Sequence, residues 1–151
     1  MMWDPWSNKD RFIGIWKQVA EHYKDHPSNV LFELLNEPND QLNAALWNEY
    51  LVEALATVRE TNPTRAVVIG PIQWNAYDWL STLDVPNDEH LIVTFHYYLP
   101  FEFTHQGAEF VRGEAERHGF AWAYWEFGSG FGVYDLDARQ WREELLKALI
   151  P

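Results

Sequence analysis

Two carboxyl side chains in this sequence keep company suited to acid–base work. Glu37 lies in Asn36-Glu37-Pro38, and Glu126 lies in Trp125-Glu126-Phe127. An imidazole and phenols recur in His96-Tyr97-Tyr98, an indole stands beside a carboxamide in Trp74-Asn75, and a second imidazole follows at His105. Gathered at one rim, these groups make a cleft for a sugar chain. Breaking a glycosidic bond takes two carboxyl groups: one protonates the leaving oxygen, the other attacks or activates water. Trp125 and Trp74 offer flat faces on which a sugar ring can stack. Each residue also has a plainer reading. Glu37 could cap the turn before Pro38, His96 could be a satisfied core histidine, and Trp74 could pack between strand and helix. Glu126 could be a buried hydrogen-bonding acid, and Glu33 reads as structural. His105, in an aromatic loop, either lines the cleft or does not.

The elements must bring these groups together. Phe12, Ile15, Trp16 and Val19 recur at helical spacing, so a helix is expected over 11–23. A short apolar run over 30–35 reads as a buried strand that ends at Asn36-Glu37-Pro38. A second helix over 44–60 carries Trp47, Leu51, Leu55 and Val58 on one stripe, and Thr61-Asn62-Pro63 stops it. Further strands are expected over 66–69, 91–96 and 121–125. Helices are expected over 77–83, 109–118 (ending at Gly119) and 141–150. Continuous apolar strands alternating with helices indicate a parallel sheet covered on both faces. The pattern predicts four such strands in a single α/β domain over 1–151. In parallel α/β folds the functional groups collect at the carboxyl ends of the strands, which is where Glu37, Trp74, His96, Tyr98, Trp125 and Glu126 fall.

Composition narrows the ligands. The 151 residues carry a formal charge of -12, from 23 acidic and 11 basic side chains. Such a field repels nucleic acid and anionic membrane surfaces, and a neutral ligand suits it better. Aromatic residues make up 17% of the chain, nine of them Trp, which is ample for sugar stacking as well as for core. The absence of cysteine excludes disulfides, thiolate metal sites and a cysteine nucleophile. No His/Asp/Glu spacing resembles a metal site, and Gly128 to Gly132 lacks the lysine of a phosphate loop, so neither metal nor cofactor is expected. No apolar run reaches the roughly 18 residues of a membrane span. The first residues lack the basic-then-apolar pattern of a signal peptide, which leaves the localisation open.

Three motifs together resemble glycoside hydrolase family 5, the group of endoglucanases and mannanases. Phe32-Glu33-Leu34-Leu35-Asn36-Glu37-Pro38 is similar to the family's fourth-strand motif. His96-Tyr97-Tyr98, with the loop that runs on through His105 to Glu109, is similar to its sixth strand. Trp122-Ala123-Tyr124-Trp125-Glu126-Phe127, continuing to Asp135, is similar to its eighth. The resemblance implies Glu37 as acid/base, Asn36 as a partner near the sugar 2-hydroxyl, and Trp125 as the platform beside the scissile bond. It gives His96 and Tyr98 the task of orienting the catalytic carboxylates.

Two segments of the family pattern have no counterpart. One is its first three strands. The other is its seventh strand, whose Gly-Glu-Phe-Gly motif carries the nucleophile. Glu126-Phe127-Gly128 has the same local pattern and could stand in, although alternation along a strand turns neighbours Trp125 and Glu126 to opposite faces. A complete (β/α)8 barrel takes about 250 residues. The expected fold is therefore a half barrel of about four parallel strands, completed by a second copy about a two-fold axis. The expected ligand is a β-glucan polysaccharide or oligosaccharide, hydrolysed by an endo-β-1,4-glucanase activity; the alternatives are a non-catalytic remnant that merely binds it and a half-barrel folding fragment that lacks the nucleophile.

Overall fold

Three short parallel strands, β1 (Phe32–Glu33), β2 (Val67–Ile69) and β3 (Leu91–Val93), lie side by side in that order. They belong to a computed structural model that describes residues 5–97, 108–124 and 132–150. The chain divides into two compact units, Met1–Tyr97 and Tyr98–Pro151, each taken by itself below.

In the first unit the register pairs Phe32 with Val67 and Val67 with Leu91, then Glu33 with Val68 and Val68 with Ile92. Alternation along the strands puts Phe32, Val67 and Ile69 on a buried face and leaves Glu33 and Ile92 exposed. Two helices cover the buried face. Helix α1 (Pro5–Tyr23) contributes Trp16 and Ala20 to the core, with Phe12, Ile13 and Val19 packed against it. Helix α2 (Ala44–Arg59) buries Trp47, Tyr50, Leu51, Ala54, Leu55 and Val58, the three-and-four spacing of an inward stripe. Asn43 starts α2 by accepting the Leu46 N–H on its side chain at 3.0 Å. At its other end, buried Asn62 donates its N–H to the Val58 carbonyl at 2.9 Å and its amide to the Ala20 carbonyl of α1 at 2.8 Å.

Between β2 and β3 the chain makes one irregular turn, Ile72–Asn75, and a 3-10 helix, Tyr77–Thr82. The strands are shorter than the apolar runs foretold. A run over 91–96 supplies residues for a strand, yet the regular ladder stops at Val93 and resumes only as an isolated bridge between Ala76 and His96.

In the second unit, helix α3 (Ala108–Arg117) ends at Gly119, which takes φ 71° as a left-handed C-terminal glycine does. An antiparallel hairpin of β4 (Tyr134–Asp135) and β5 (Gln140–Trp141) follows, then helix α4 (Glu143–Leu149). Arg112 of α3 donates to the Ala148 carbonyl of α4 at 2.8 Å. Two expectations are corrected here. Residues 121–124 pair in no ladder, so three parallel strands, not four, stand among the described residues. The closing helix begins at Glu143 instead of 141, because Trp141 is taken by the hairpin, edge-on to Tyr134 at 5.1 Å.

Candidate active site at the strand carboxyl ends

The β1 ladder finishes with the Leu34 N–H on the Val68 carbonyl at 3.2 Å. The Leu34 carbonyl is then taken by the indole N–H of buried Trp16 at 3.0 Å, so α1 holds the strand end. Beyond it the chain leaves strand geometry. Glu37 adopts φ 54°, and the Asn39 amide donates to its carbonyl at 2.7 Å. A left-handed conformation costs a non-glycine residue roughly 1–2 kcal/mol and tends to mark a site that the surroundings over-determine. Because the strand is irregular here, alternation does not carry from Glu33 to Glu37. Glu33 sits on β1 as an exposed strand residue, and its face says nothing about that of Glu37.

His96 reaches the same place from beyond β3. Its N–H donates to the Asn75 carbonyl at 2.7 Å, and its Nδ1 lies 2.7 Å from Glu37 Oε1. Both side chains are partly open, at 27% and 31% of full exposure, so the pair is reachable from solvent. With the carboxylate ionised, Nδ1–H donates to Oε1. With Glu37 protonated on Oε2, Nδ1–H still donates to Oε1 and leaves the carboxyl O–H for another acceptor. The contact therefore survives in either proton state, which is what a group that gives and retakes a proton requires.

Trp74 stands on the turn between them. Its N–H donates to the carbonyl of Pro38, next to Glu37, at 3.2 Å, while its indole is 54% exposed. Gln73, Trp74 and Asn75 have φ of 57°, 59° and 56°, three successive left-handed residues without a glycine. No propensity foretells such a run. Asn36 is exposed beside Glu37. Tyr77, exposed and edge-on at 5.0 Å to exposed Tyr97 of the His96-Tyr97-Tyr98 motif, was not singled out from sequence, nor was Asn75 for any role of its own. Of the expected site residues, the structure thus brings together Glu37, His96 and, through the backbone, Trp74. Tyr98, His105, Trp125 and Glu126 lie outside the described residues. Among the described residues no group of three His, Asp or Glu side chains is placed to hold a metal, and no helix is long and apolar enough to cross a membrane.

Comparison with known proteins gives this geometry a context. Residues 4–130 match the family model for cellulase (glycosyl hydrolase family 5). Endoglucanase H of Acetivibrio thermocellus is 44% identical over 99 residues, which is 66% of this chain and 11% of that protein. Cellodextrinase A of Ruminococcus flavefaciens is 35% identical over 100 residues, 66% of this chain and 30% of that protein. The chain thus spans less than a third of the length of these curated relatives. Among solved structures, the Clostridial cellulose synthase subunit Z from Clostridioides difficile superposes with TM-score 0.89 at 30% identity, covering 98% of this chain and 70% of that one. Endoglucanase Cel5A from the hyperthermophilic Thermotoga maritima superposes with TM-score 0.88 at 34% identity, covering 97% and 68%.

Proposed function

Since the chain belongs to the cellulase family of glycosyl hydrolases, family 5, we propose that it cleaves β-1,4-glucan internally, with Glu37 as general acid/base. The observation that carries this reading is the 2.7 Å contact between Glu37 Oε1 and His96 Nδ1 at the carboxyl ends of parallel strands. Glu37 gives its proton to the leaving glycosidic oxygen and recovers one from the incoming water. His96 holds the carboxyl group in place through both steps. In this reading Asn36 serves the sugar 2-hydroxyl, Trp125 is the platform beside the scissile bond with Trp74 a second stacking face, Tyr98 helps orient the catalytic carboxylates, and His105 lines the cleft. Glu126 is the second carboxylate, attacking the anomeric carbon if the two carboxyl groups stand about 5–5.5 Å apart. The names of the relatives, endoglucanases and a cellodextrinase, support a β-glucan as the substrate.

We infer further that two copies of the chain pair to close the sheet. In support, β1 and β3 are the outer strands of the three-stranded sheet among the described residues, and Ile92, Val93 and Phe95 are each more than 40% exposed. An edge and an apolar surface of this kind call for cover. A monodisperse monomer in sedimentation would refute the pairing.

The function is tested by reducing-sugar release from a soluble β-1,4-glucan. Glu37→Gln should lower the rate by roughly 10²–10⁴, and Glu126→Gln should do likewise. Loss in Glu37→Gln alone would assign the second role to another group or to water. A wild-type chain that binds cello-oligosaccharide without turnover would reduce the protein to a carbohydrate-binding remnant.

A further inference from the structure

The Glu37–His96 contact depends on where His96 sits, and the backbone of His96 is held by a residue whose own side chain is buried and makes no hydrogen bond to Glu37. His96 N–H donates to the Asn75 carbonyl at 2.7 Å, and the neighbouring Ala76 bridges to His96 as an isolated parallel pair. Asn75 closes the left-handed run Gln73-Trp74-Asn75. Its side chain is fully buried, and neither its amide nitrogen nor its oxygen has a hydrogen-bond partner among the described residues. A buried carboxamide without partners is unfavourable, so its retention calls for a reason. Shape supplies one. The carboxamide is wedged against Gly70, so closely that a Cβ built there would fall 2.5 Å from Oδ1 and 2.7 Å from Cγ. The Gly70 carbonyl is in turn taken by the Trp47 indole N–H at 2.9 Å. Asparagine is also among the few side chains that tolerate left-handed backbone.

We propose that Asn75 is a positioning residue for the acid/base pair: its carboxamide, seated on Gly70, fixes the left-handed turn whose carbonyl sets His96 against Glu37. The same turn carries Trp74, so one wedge sets both a proton-handling group and an exposed ring. This inference rests on the hydrolase reading for its consequence in turnover, but not for the geometry itself. Gly70 is required at its position because any side chain would displace the wedge.

The test uses the full chain and two variants that disturb the wedge from opposite sides. Asn75→Gly removes the carboxamide and keeps a residue for which left-handed backbone carries no penalty. Gly70→Ala puts a methyl where Oδ1 now sits. The primary readout is the imidazole Nδ1–H proton of His96 by NMR, assigned by its disappearance in His96→Gln. The Trp16 and Trp47 indole N–H signals report on the core. In both variants the His96 proton should shift or broaden while the Trp16 signal holds. Turnover of soluble β-glucan should fall on the order of 10²-fold, as for a catalytic group displaced by about 1 Å, with KM changed less than kcat. An unchanged His96 proton in either folded variant would overturn the positioning role. Should the His96 proton respond while the wild-type chain turns over no glucan, the positioning role stands and the hydrolase reading falls.

Discussion

Arg65 offers the sharpest stability test in the unit that carries Glu37. The side chain is buried, and all five of its N–H groups are spent on uncharged acceptors. Nε donates to Asn62 Oδ1 at 2.8 Å, Nη1 to the carbonyls of Pro27 and Val30 at 3.0 and 2.7 Å, and Nη2 to those of Tyr23 and His26, both at 2.9 Å. Its guanidinium also lies 5.0 Å from the centre of the Phe32 ring. One cation thus gathers the end of α1, the loop that follows and the approach to β1, with no carboxylate in the set. Replacement by lysine keeps the charge but offers three donors for five acceptors, so at least two lose their partner. Because these carbonyls are only part-buried, each loss is taken as about 1 kcal/mol, below the roughly 1.5–3 kcal/mol of a bond to a charged donor. Arg65→Lys should therefore cost about 2 kcal/mol, and Arg65→Met, which loses all five bonds but also the buried charge, about 3–5 kcal/mol. In urea followed by tryptophan fluorescence, with a slope of about 2 kcal/mol per M, the lysine variant should unfold about 1 M earlier than wild type. A lysine midpoint within about 0.2 M of wild type at unchanged slope, or a methionine variant more stable than the lysine one, would refute this account.

Trp47→Phe keeps an aromatic ring in the core but strands the Gly70 carbonyl, so it should cost about 1–3 kcal/mol by urea unfolding; a loss under about 0.5 kcal/mol would show that the indole bond does not hold the strand end. Asp88 is gripped by Arg59 in a two-pronged pair, Nε to Oδ2 at 2.6 Å and Nη2 to Oδ1 at 3.0 Å, which holds its carboxyl below the usual range. A lowered folded-state value gives stability that is present above the unfolded pKa, about 3.9, and lost as pH falls through the lower folded one. Asp88→Asn should therefore cost about 1 kcal/mol at pH 7 and progressively less below about pH 4; a gap between variant and wild type that widens on acidification would contradict this. Trp74→Ala, if the exposed indole receives a sugar ring, should weaken cello-oligosaccharide binding about fivefold in calorimetry, a loss of about 1 kcal/mol, and leave the urea midpoint in place.

Much of this could be read from residue order, and the remainder divides along a physical line. Helices α1 and α2 were legible because most of their inward residues recur at helical spacing and Thr61-Asn62-Pro63 marks where α2 stops. Yet α1 begins at Pro5 instead of 11, and Ile15, expected on its inward face, is exposed. Residue type and strand-end position together flagged Glu37 and His96, which the structure brings within 2.7 Å. The lengths of the strands were not legible. An apolar run records burial, whereas a ladder also needs a partner in register, so the run at 30–35 pairs regularly only over Phe32–Glu33 and the described part of the run at 121–125, residues 121–124, not at all. The hairpin of β4 and β5 escaped notice because Trp141 reads equally well as the start of a helix.

What lies furthest from sequence is the conformation that makes the site. Glu37, Gln73, Trp74 and Asn75 all adopt left-handed backbone, and none is a glycine. Local preference argues against Glu37, Gln73 and Trp74 at roughly 1–2 kcal/mol apiece, and less against Asn75. Four such residues are tolerated only because tertiary contacts outweigh that preference: Trp16 on the Leu34 carbonyl, Trp47 on the Gly70 carbonyl, and the Trp74 N–H on the Pro38 carbonyl. The two indoles come from α1 and α2, the most regular parts of the unit. The helices therefore do more than cover the sheet: each sends a tryptophan to a strand end and so determines where the chain turns to present Glu37 and Trp74. Weakening either indole bond should release strain at the site before it unfolds the sheet, and the acid/base geometry would then fail while the core persists.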